Sequence, residues 1–140
     1  MARVINTNSP GKRRKAHMRT SAEILRHLSQ QREVNQQTRD MVAMLVYCLR
    51  GVDETVEESI RAWEKRGYWK KADDFQQKWW WASLMADAIE ELLRDEKWDR
   101  LPATMIKLYP HFADIQINKL TRDPADWEGA CSRLIGDSSA

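Results

Sequence analysis

The stretch WWWASLMADAIEELL, residues Trp79–Leu93, decides the fold that the sequence predicts. A helix turns by about 100° per residue, and at that spacing the polar side chains of the stretch share one stripe. The apolar side chains form two seams, Trp81, Met85, Ala88 and Leu92 in one and Trp79, Ala82, Ala86, Ile89 and Leu93 in the other. A surface helix needs only one apolar stripe, so this pattern predicts the central helix of an all-α core.

A longer heptad pattern precedes this stretch, between about residues 35 and 66. Its apolar seam recurs at alternating spacings of three and four, through Val42, Leu45, Leu49, Val52, Val56, Ser59 and Trp63. The opposite face is charged, which predicts a helix on the outside of the bundle. Gly67 follows as a helix stop, and the next heptad pattern begins at Tyr68. Two long heptad helices joined at one glycine predict an antiparallel hairpin of residues about 35–66 and 68–95.

Shorter helical patterns flank the predicted hairpin. A first helix is predicted to start near Lys12 or at Thr20, and further helical segments are predicted around residues 98–108 and 123–136. The fold class is therefore all-α, a helical bundle built on the long hairpin with shorter flanking helices. The predicted organisation is a flexible basic arm at 1–19, a single helical domain at 20–136 and a frayed tail at 137–140.

The chain of 140 residues has a net charge of +2, but its charge is unevenly spread. Residues 1–19 carry six basic side chains and no acidic one, whereas the remaining residues carry 17 basic and 21 acidic side chains. A basic arm on a mildly acidic body predicts a polyanionic partner, because cations that bind phosphates release counterions. The candidate phosphate-binding residues of the arm are Lys12, Arg13, Arg14, Lys15 and Arg19. A solvated tail that only aids solubility is the alternative.

A second candidate contact with nucleic acid surrounds the predicted hairpin tip, in the segment WEKRGYWKK of residues 63–71. Tyr68 and Trp69 could stack on bases while the neighbouring cations hold backbone phosphates. These cations are Lys65, Arg66, Lys70 and Lys71. The alternative is a turn whose aromatic side chains close the end of the core.

Trp80 is the candidate anchor for a protein partner. The sequence contains seven tryptophans, and Trp63, Trp81 and Trp127 are expected in the core. Trp80 differs because it falls in the polar stripe beside Ser83. An exposed tryptophan among polar residues is typical of an interface, so Trp80 predicts contact with another protein or with a second copy of the chain.

Carboxylates on the two hairpin helices suggest one enzymatic alternative. Asp53, Glu54 and Glu57 form a DExxE motif, and Asp87 and Glu90 form a DxxE motif. These motifs resemble the EExxE and ExxD motifs of all-helical MazG-type nucleotide pyrophosphohydrolases. The resemblance implies a Mg²⁺ ion held against a pyrophosphate. The competing interpretation is an ordinary solvated charged face.

No motif for another metal site, cofactor or nucleophile occurs in the sequence. His17, His27 and His111 belong to no HExxH or Glu-x-x-His pattern, and the sequence has no glycine-rich phosphate loop and no GxSxG motif. Cys48 and Cys131 lie in apolar helical patterns without a CxxC motif, which is typical of reduced thiols in a cytoplasmic protein. Since these motifs are missing, we expect no cofactor. No apolar run is long enough for a membrane span, so we also expect no membrane partner.

The sequence therefore predicts a non-catalytic helical accessory subunit of a larger assembly, whose basic arm contacts the nucleic-acid backbone independently of base sequence. Its size, helicity and basic arm resemble the small helical subunits of nucleoprotein effectors such as CRISPR interference complexes, which implies a place in such a complex. DNA and RNA are both open as partners. The alternatives are a Mg²⁺-dependent nucleotide pyrophosphohydrolase and a protein–protein adaptor whose arm is inert.

Overall fold

The structure is a computed structural model that describes residues 9–138, with side chains described as far as Gly136. Its helices are α1 (Pro10–Ser29), α2 (Gln36–Lys65), α3 (Trp69–Arg94), α4 (Leu101–Leu108), α5 (Pro124–Trp127) and α6 (Ala130–Ser138). Short 3₁₀ turns flank α4, and residues 9–138 contain no β-strand. The all-α prediction is confirmed. Residues 1–8 of the predicted arm and residues 139–140 of the predicted tail lie outside the described residues.

Local signals set the ends of α2 and the start of α3. Asn35 caps α2 because its side chain accepts a hydrogen bond from the Thr38 amide at 2.9 Å, while the Thr38 hydroxyl reaches back to the Asn35 amide. Gly67 follows α2 with a φ of 79°, in the left-handed region that favours glycine. A turn of three residues therefore reverses the chain between the two long helices.

Side-chain contacts show that α2 and α3 run in opposite directions. Trp63 meets Phe75 close to the turn, with ring centroids 4.7 Å apart. Arg50 meets Asp87 midway along the helices, at 2.7 Å. At the far end, Arg39 of α2 reaches a residue just beyond α3, with 3.4 Å between the guanidinium of Arg39 and the carboxylate of Glu96.

The central helix is α2, so the prediction that α3 is central and α2 lies outside is wrong. α2 packs against α1, α3, α5 and α6, and it buries residues on more than one face. α3 packs mainly against α2 and α4. It leaves two large apolar side chains in solvent, Trp80 at 60% exposure and Leu84 at 53%.

Small residues explain why the second buried face of α2 escapes the hydrophobic pattern. Cys48, Gly51 and Thr55 recur at helical spacing and are all buried. Gly51 lets α1 approach closely, because a β-carbon there would lie 2.5 Å from Nε2 of His17. A face of cysteine, glycine and threonine carries little hydrophobic signal, yet it is fully covered by α1.

The first helix begins earlier than predicted, so residues 10–19 are not a separate flexible segment. Ser9 caps α1 through its hydroxyl, which accepts from the Lys12 amide at 3.3 Å, and Pro10 occupies the first helical position. Ser9 and Pro10 therefore act together as a helix start. The described part of the predicted arm is therefore helical.

A buried carboxylate fixes the irregular segment between α4 and α5 to α1. Glu23 is fully buried and accepts hydrogen bonds from the Thr121 amide and hydroxyl and, at 3.0 Å, from the Arg122 amide. Burial opposes ionisation of Glu23, but these hydrogen bonds, with one from Arg19, outweigh it and hold the pKa below its usual value. On α2, buried Asp40 accepts from the amides of Gly129 and Cys131 and so orients α6.

No helix within the described residues is both long enough and apolar enough to cross a membrane. The longest helix, α2, carries charged residues along much of its length.

Candidate nucleic-acid interface

A groove of about 910 Å³ lies between the first half of α1, the middle of α3 and the 3₁₀ turn that follows α4. We call it the cationic groove. Five basic residues line it, Lys12, Arg14, Lys15 and Arg19 from α1 and Lys78 from α3. Its aromatic lining consists of Trp79, Trp81 and His111, and Asp114 is its acidic residue. Cations beside aromatic rings are the composition expected of a surface for single-stranded nucleic acid.

Arg14 lies deepest among the cations and is held in place by neutral partners. Its guanidinium donates to the hydroxyl and carbonyl of Thr55, both at 3.2 Å, and to the hydroxyl of Ser59 at 2.8 Å. The same guanidinium lies 4.7 Å from the ring centroid of Phe75 and 5.5 Å from that of Trp79. Burial lowers the pKa of Arg14, but a guanidinium keeps its proton in proteins. Since these partners carry no negative charge, Arg14 contributes a full positive charge to the groove.

The remaining cations are three residues of α1 and one residue of α3. Lys12, Lys15 and Arg19 are spaced three and four residues apart, which places them on one face of α1. Among the described residues, Lys12, Lys15 and Lys78 form no ion pair, whereas Arg19 contacts Glu23 at 3.3 Å. An anion entering the groove therefore meets lysines that are not engaged in ion pairs with the described residues.

The aromatic wall of the groove is a continuous series of ring contacts. Trp81 stacks on His111 with centroids 3.9 Å apart and an interplanar angle of 8°. Trp79 lies 6.0 Å from Trp81 and 6.2 Å from Phe75, centroid to centroid. Phe75 in turn makes the edge contact with Trp63 near the turn between α2 and α3. The wall thus runs from the 3₁₀ turn to the tip of the helical pair.

The predicted tip residues form a separate exposed surface at the end of this wall. Tyr68 and Trp69 are exposed, Trp69 to 65%. Lys71 lies over the Trp63 ring at 4.8 Å from its centroid, while Lys70 pairs with Asp74 at 3.3 Å. Lys65 and Arg66 are exposed at the same turn. Trp69 and Trp79 are ten residues apart on one helix, a separation of about 15 Å along its axis.

Two of the candidate residues point away from the cationic groove. Arg13 forms an ion pair with Glu58 of α2, so its charge is neutralised outside the groove. Trp80 lies on another side of α3, where it lines a shallow cleft with Asp53 and Glu57 of α2. Its surroundings are acidic, in contrast to the groove.

The sequence does not predict the part of the groove that α3 and the 3₁₀ turn contribute. Lys78, Trp79, Trp81 and His111 were not predicted as nucleic-acid contacts, and the two tryptophans were assigned to the core. Trp79 and Trp81 are only partly buried. The segment KWWW at residues 78–81, a cation directly before three aromatic rings, is the local signal that could have identified α3 as a wall of the site.

The carboxylates of the DExxE and DxxE motifs are largely engaged in ion pairs, and Asp53 lies near enough to Asp87 for their charges to interact. Arg50 of α2 contacts Asp87 at 2.7 Å and Glu90 at 3.0 Å, and Arg94 also contacts Glu90 at 2.9 Å, so both carboxylates of the second motif are held in ion pairs. Burial, together with the nearby charge of Glu57, raises the pKa of Asp53. The described residues include no cluster of three or more histidine, cysteine, aspartate or glutamate side chains that could hold a metal ion. Assay of nucleoside triphosphate turnover with Mg²⁺, comparing wild type with Glu57→Gln, tests the pyrophosphohydrolase alternative.

Comparison with known proteins adds no assignment to this geometry. No protein-family model matches the sequence, and neither a curated protein nor a solved structure matches the chain significantly. The chain is therefore classified by its own features, as an all-α helical bundle with a cationic groove walled by aromatic side chains.

Proposed function

We propose that this protein binds nucleic acid without catalysing a reaction on it, with the phosphate backbone in the cationic groove. The observation that carries the proposal is the convergence of five basic side chains from α1 and α3 on one groove with three aromatic rings. Its place is that of a small accessory subunit in a larger nucleoprotein assembly. The proposal moves the contact from a flexible arm to a folded surface.

The groove chemistry suits a polyanion better than a small neutral ligand. Flexible lysines bind phosphates largely through counterion release, which gives affinity without base-sequence preference. Arg14 supplies a fixed charge because Thr55, Ser59 and two aromatic rings hold its guanidinium. A bound backbone would follow the groove along α1, since its lysines recur there at helical spacing.

Salt dependence of binding tests the proposal directly. Fluorescence anisotropy would measure the affinity for labelled single-stranded and duplex DNA and RNA over a range of salt concentrations. Each phosphate contact contributes about 0.9 to the log–log slope on duplex DNA and about 0.7 on a single strand. Five contacts set a maximum slope of about 4.5 and about 3.5, respectively.

Two charge-matched variants separate the groove from general surface charge. Lys12→Ala with Lys15→Ala should reduce the slope on a single strand by about 1.4, because two phosphate contacts are removed. Lys107→Ala with Lys119→Ala removes the same charge from exposed positions outside the groove and should leave the slope nearly unchanged. If the two variants bind equally, or if wild type binds no nucleic acid at low salt, the proposal is wrong.

A protein contact through α3 is a second candidate function, supported by the exposure of Trp80 and Leu84. The two side chains are four residues apart on α3 and therefore neighbours on its surface. Exposed tryptophans beside other apolar side chains are common centres of protein interfaces. Light scattering over a range of concentrations would show whether wild type self-associates. Trp80→Ala should then shift the mass to that of a monomer, and Tyr109→Ala should not.

A further inference from the structure

We propose that the cationic groove takes a single strand and not a duplex, with one base stacked on the outer face of His111. This inference rests on the proposed function and specifies its ligand. His111 would then bind a base by stacking, in addition to the phosphate contacts of the cations.

The geometry of the stacked pair presents a flat aromatic surface at the edge of the groove. His111 lies parallel to Trp81, with an interplanar angle of 8° and centroids 3.9 Å apart. One face of the imidazole is therefore covered, yet His111 as a whole is exposed. Because His111 also lines the cationic groove, part of its surface is open to that groove. A base placed on the face opposite Trp81 would become the third member of the stack.

The platform is held rigidly by its neighbours. His111 belongs to the 3₁₀ turn Tyr109–Phe112, in which Pro110 restricts the backbone. The next residue, Phe112, is buried and packs edge-on against Trp81, with centroids 5.7 Å apart. Because Phe112 packs against Trp81 and Trp81 stacks on His111, little conformational freedom is lost when a base binds.

The charge state of His111 favours a base over a phosphate as its partner. Partial burial lowers the pKa of His111, which favours the neutral imidazole. It therefore adds an aromatic face to the groove and not a further cation. Lys15 and Lys78 line the same groove and supply the contacts for the flanking phosphates. A duplex keeps its bases paired and stacked inside the helix, so it cannot offer a base face to His111 without unpairing.

Three oligonucleotides of equal length distinguish stacking from backbone binding. We would measure anisotropy for oligo-dT, for an abasic deoxyribose–phosphate strand and for a duplex, at low salt and neutral pH. Wild type should bind oligo-dT about tenfold more tightly than the abasic strand, because stacking of a base on an aromatic ring adds affinity. The duplex should bind more weakly than oligo-dT under the same conditions.

Variants of the 3₁₀ turn provide the matched controls. His111→Ala should weaken oligo-dT binding about tenfold and leave the affinity for the abasic strand unchanged. His111→Phe retains a neutral aromatic face and should restore the oligo-dT affinity. Tyr109→Ala removes an exposed ring from the same turn but outside the groove, so it should bind as wild type does.

The outcomes separate this inference from the proposed function. Equal affinity of wild type for oligo-dT and the abasic strand would overturn base stacking while backbone binding stands. The same holds if His111→Ala weakens both strands equally, or if His111→Phe fails to restore binding. Failure of wild type to bind any of the three would overturn the proposed function together with the inference.

Discussion

The two long helices differ in what their apolar residues do. α2 buries a surface made largely of aliphatic and small side chains, such as Leu49 and Gly51. This surface packs against α1, α3, α5 and α6. α3 is richer in aromatic residues, yet it leaves Trp80 and Trp69 in solvent and only partly covers Trp81. The more hydrophobic stretch of sequence thus lies nearer the surface than the less hydrophobic one.

The centre of this bundle is the helix with the most packing partners, and not the most hydrophobic helix. α1 can lie close to α2 because the facing residues of α2 are small. The tryptophans of α3 are larger. Trp79 and Trp81 are partly buried and line the cationic groove, while Trp69 and Trp80 are exposed. Aromatic residues beyond what the core needs are then available for contact with ligands.

The largest expected effect comes from the same substitution made in both helices. Leu49 is fully buried in α2, whereas Leu84 of α3 is mostly exposed. Leu49→Ala should lower the free energy of unfolding by about 2–5 kcal/mol, because it leaves a cavity in the core. Leu84→Ala should change it by less than about 0.5 kcal/mol. Urea denaturation of both variants measures the contrast, and equal midpoints would contradict the exposed position of α3.

Trp80 and Trp81 are adjacent in α3 but should differ in their contribution to stability. Trp81 is partly buried against His111 and Phe112, so Trp81→Ala should cost about 2–3 kcal/mol, less than a fully buried tryptophan. Trp80→Ala should cost less than about 0.5 kcal/mol. Thermal unfolding checks both values. A larger loss for Trp80→Ala than for Trp81→Ala would reverse the assignment of the two faces.

Gly51 tests whether the close approach of α1 depends on the absence of a side chain. Gly51→Ala should destabilise the protein by about 1–2 kcal/mol, because the added carbon collides with the His17 ring and outweighs the better helix propensity of alanine. In a His17→Ala background the collision is gone, and the same change should stabilise α2 by up to about 1 kcal/mol. A double-mutant cycle by chemical denaturation measures the sign of both effects. The same sign in both backgrounds would contradict the contact.

The smallest expected effect concerns the ion pair that joins the two helices. Burial would raise the pKa of Glu90, but hydrogen bonds from Arg94 and Arg50 outweigh it and hold the pKa below its usual value. The carboxylate therefore stabilises the fold above the unfolded pKa of glutamate, and this contribution is lost as the pH falls through the lowered pKa. Glu90→Gln should cost about 0.5–1 kcal/mol at pH 7 and almost nothing near pH 3. Denaturation curves at the two pH values test it, and a cost that grows on acidification would have the wrong sign.

The sequence predicted the extents of α2 and α3 better than their positions. Asn35 and Gly67 are local signals, so the predicted ends lie within a few residues of those in the structure. Which helix lies at the centre depends on faces that meet from distant parts of the chain. Gly51 and Thr55 show no apolar periodicity, and only the docked α1 makes them core residues.

The candidate site could be predicted from the sequence only in part for the same reason. Lys12, Arg14, Lys15 and Arg19 stand out as a basic cluster, and the structure places them on one groove. Arg13 belongs to the same cluster, but it pairs with Glu58 on another helix, which no local pattern reveals. The opposite wall lies more than 50 residues further along the chain, so its proximity depends entirely on the docking of α1.

The way in which α1 holds the irregular segment after α4 bears on how this sequence can vary. Arg19 and Arg26 donate to the carbonyls of Lys119 and Ile117, both at 3.0 Å, and Glu23 accepts from two main-chain amides. Side chains of α1 thus specify the path of the segment chiefly by binding the main-chain atoms of the segment. Substitutions along the segment should be tolerated where they keep that path, while changes in the inward face of α1 should not. Variation among relatives would then accumulate on the segment beside the groove, and the ligand preference could diverge without a change of fold.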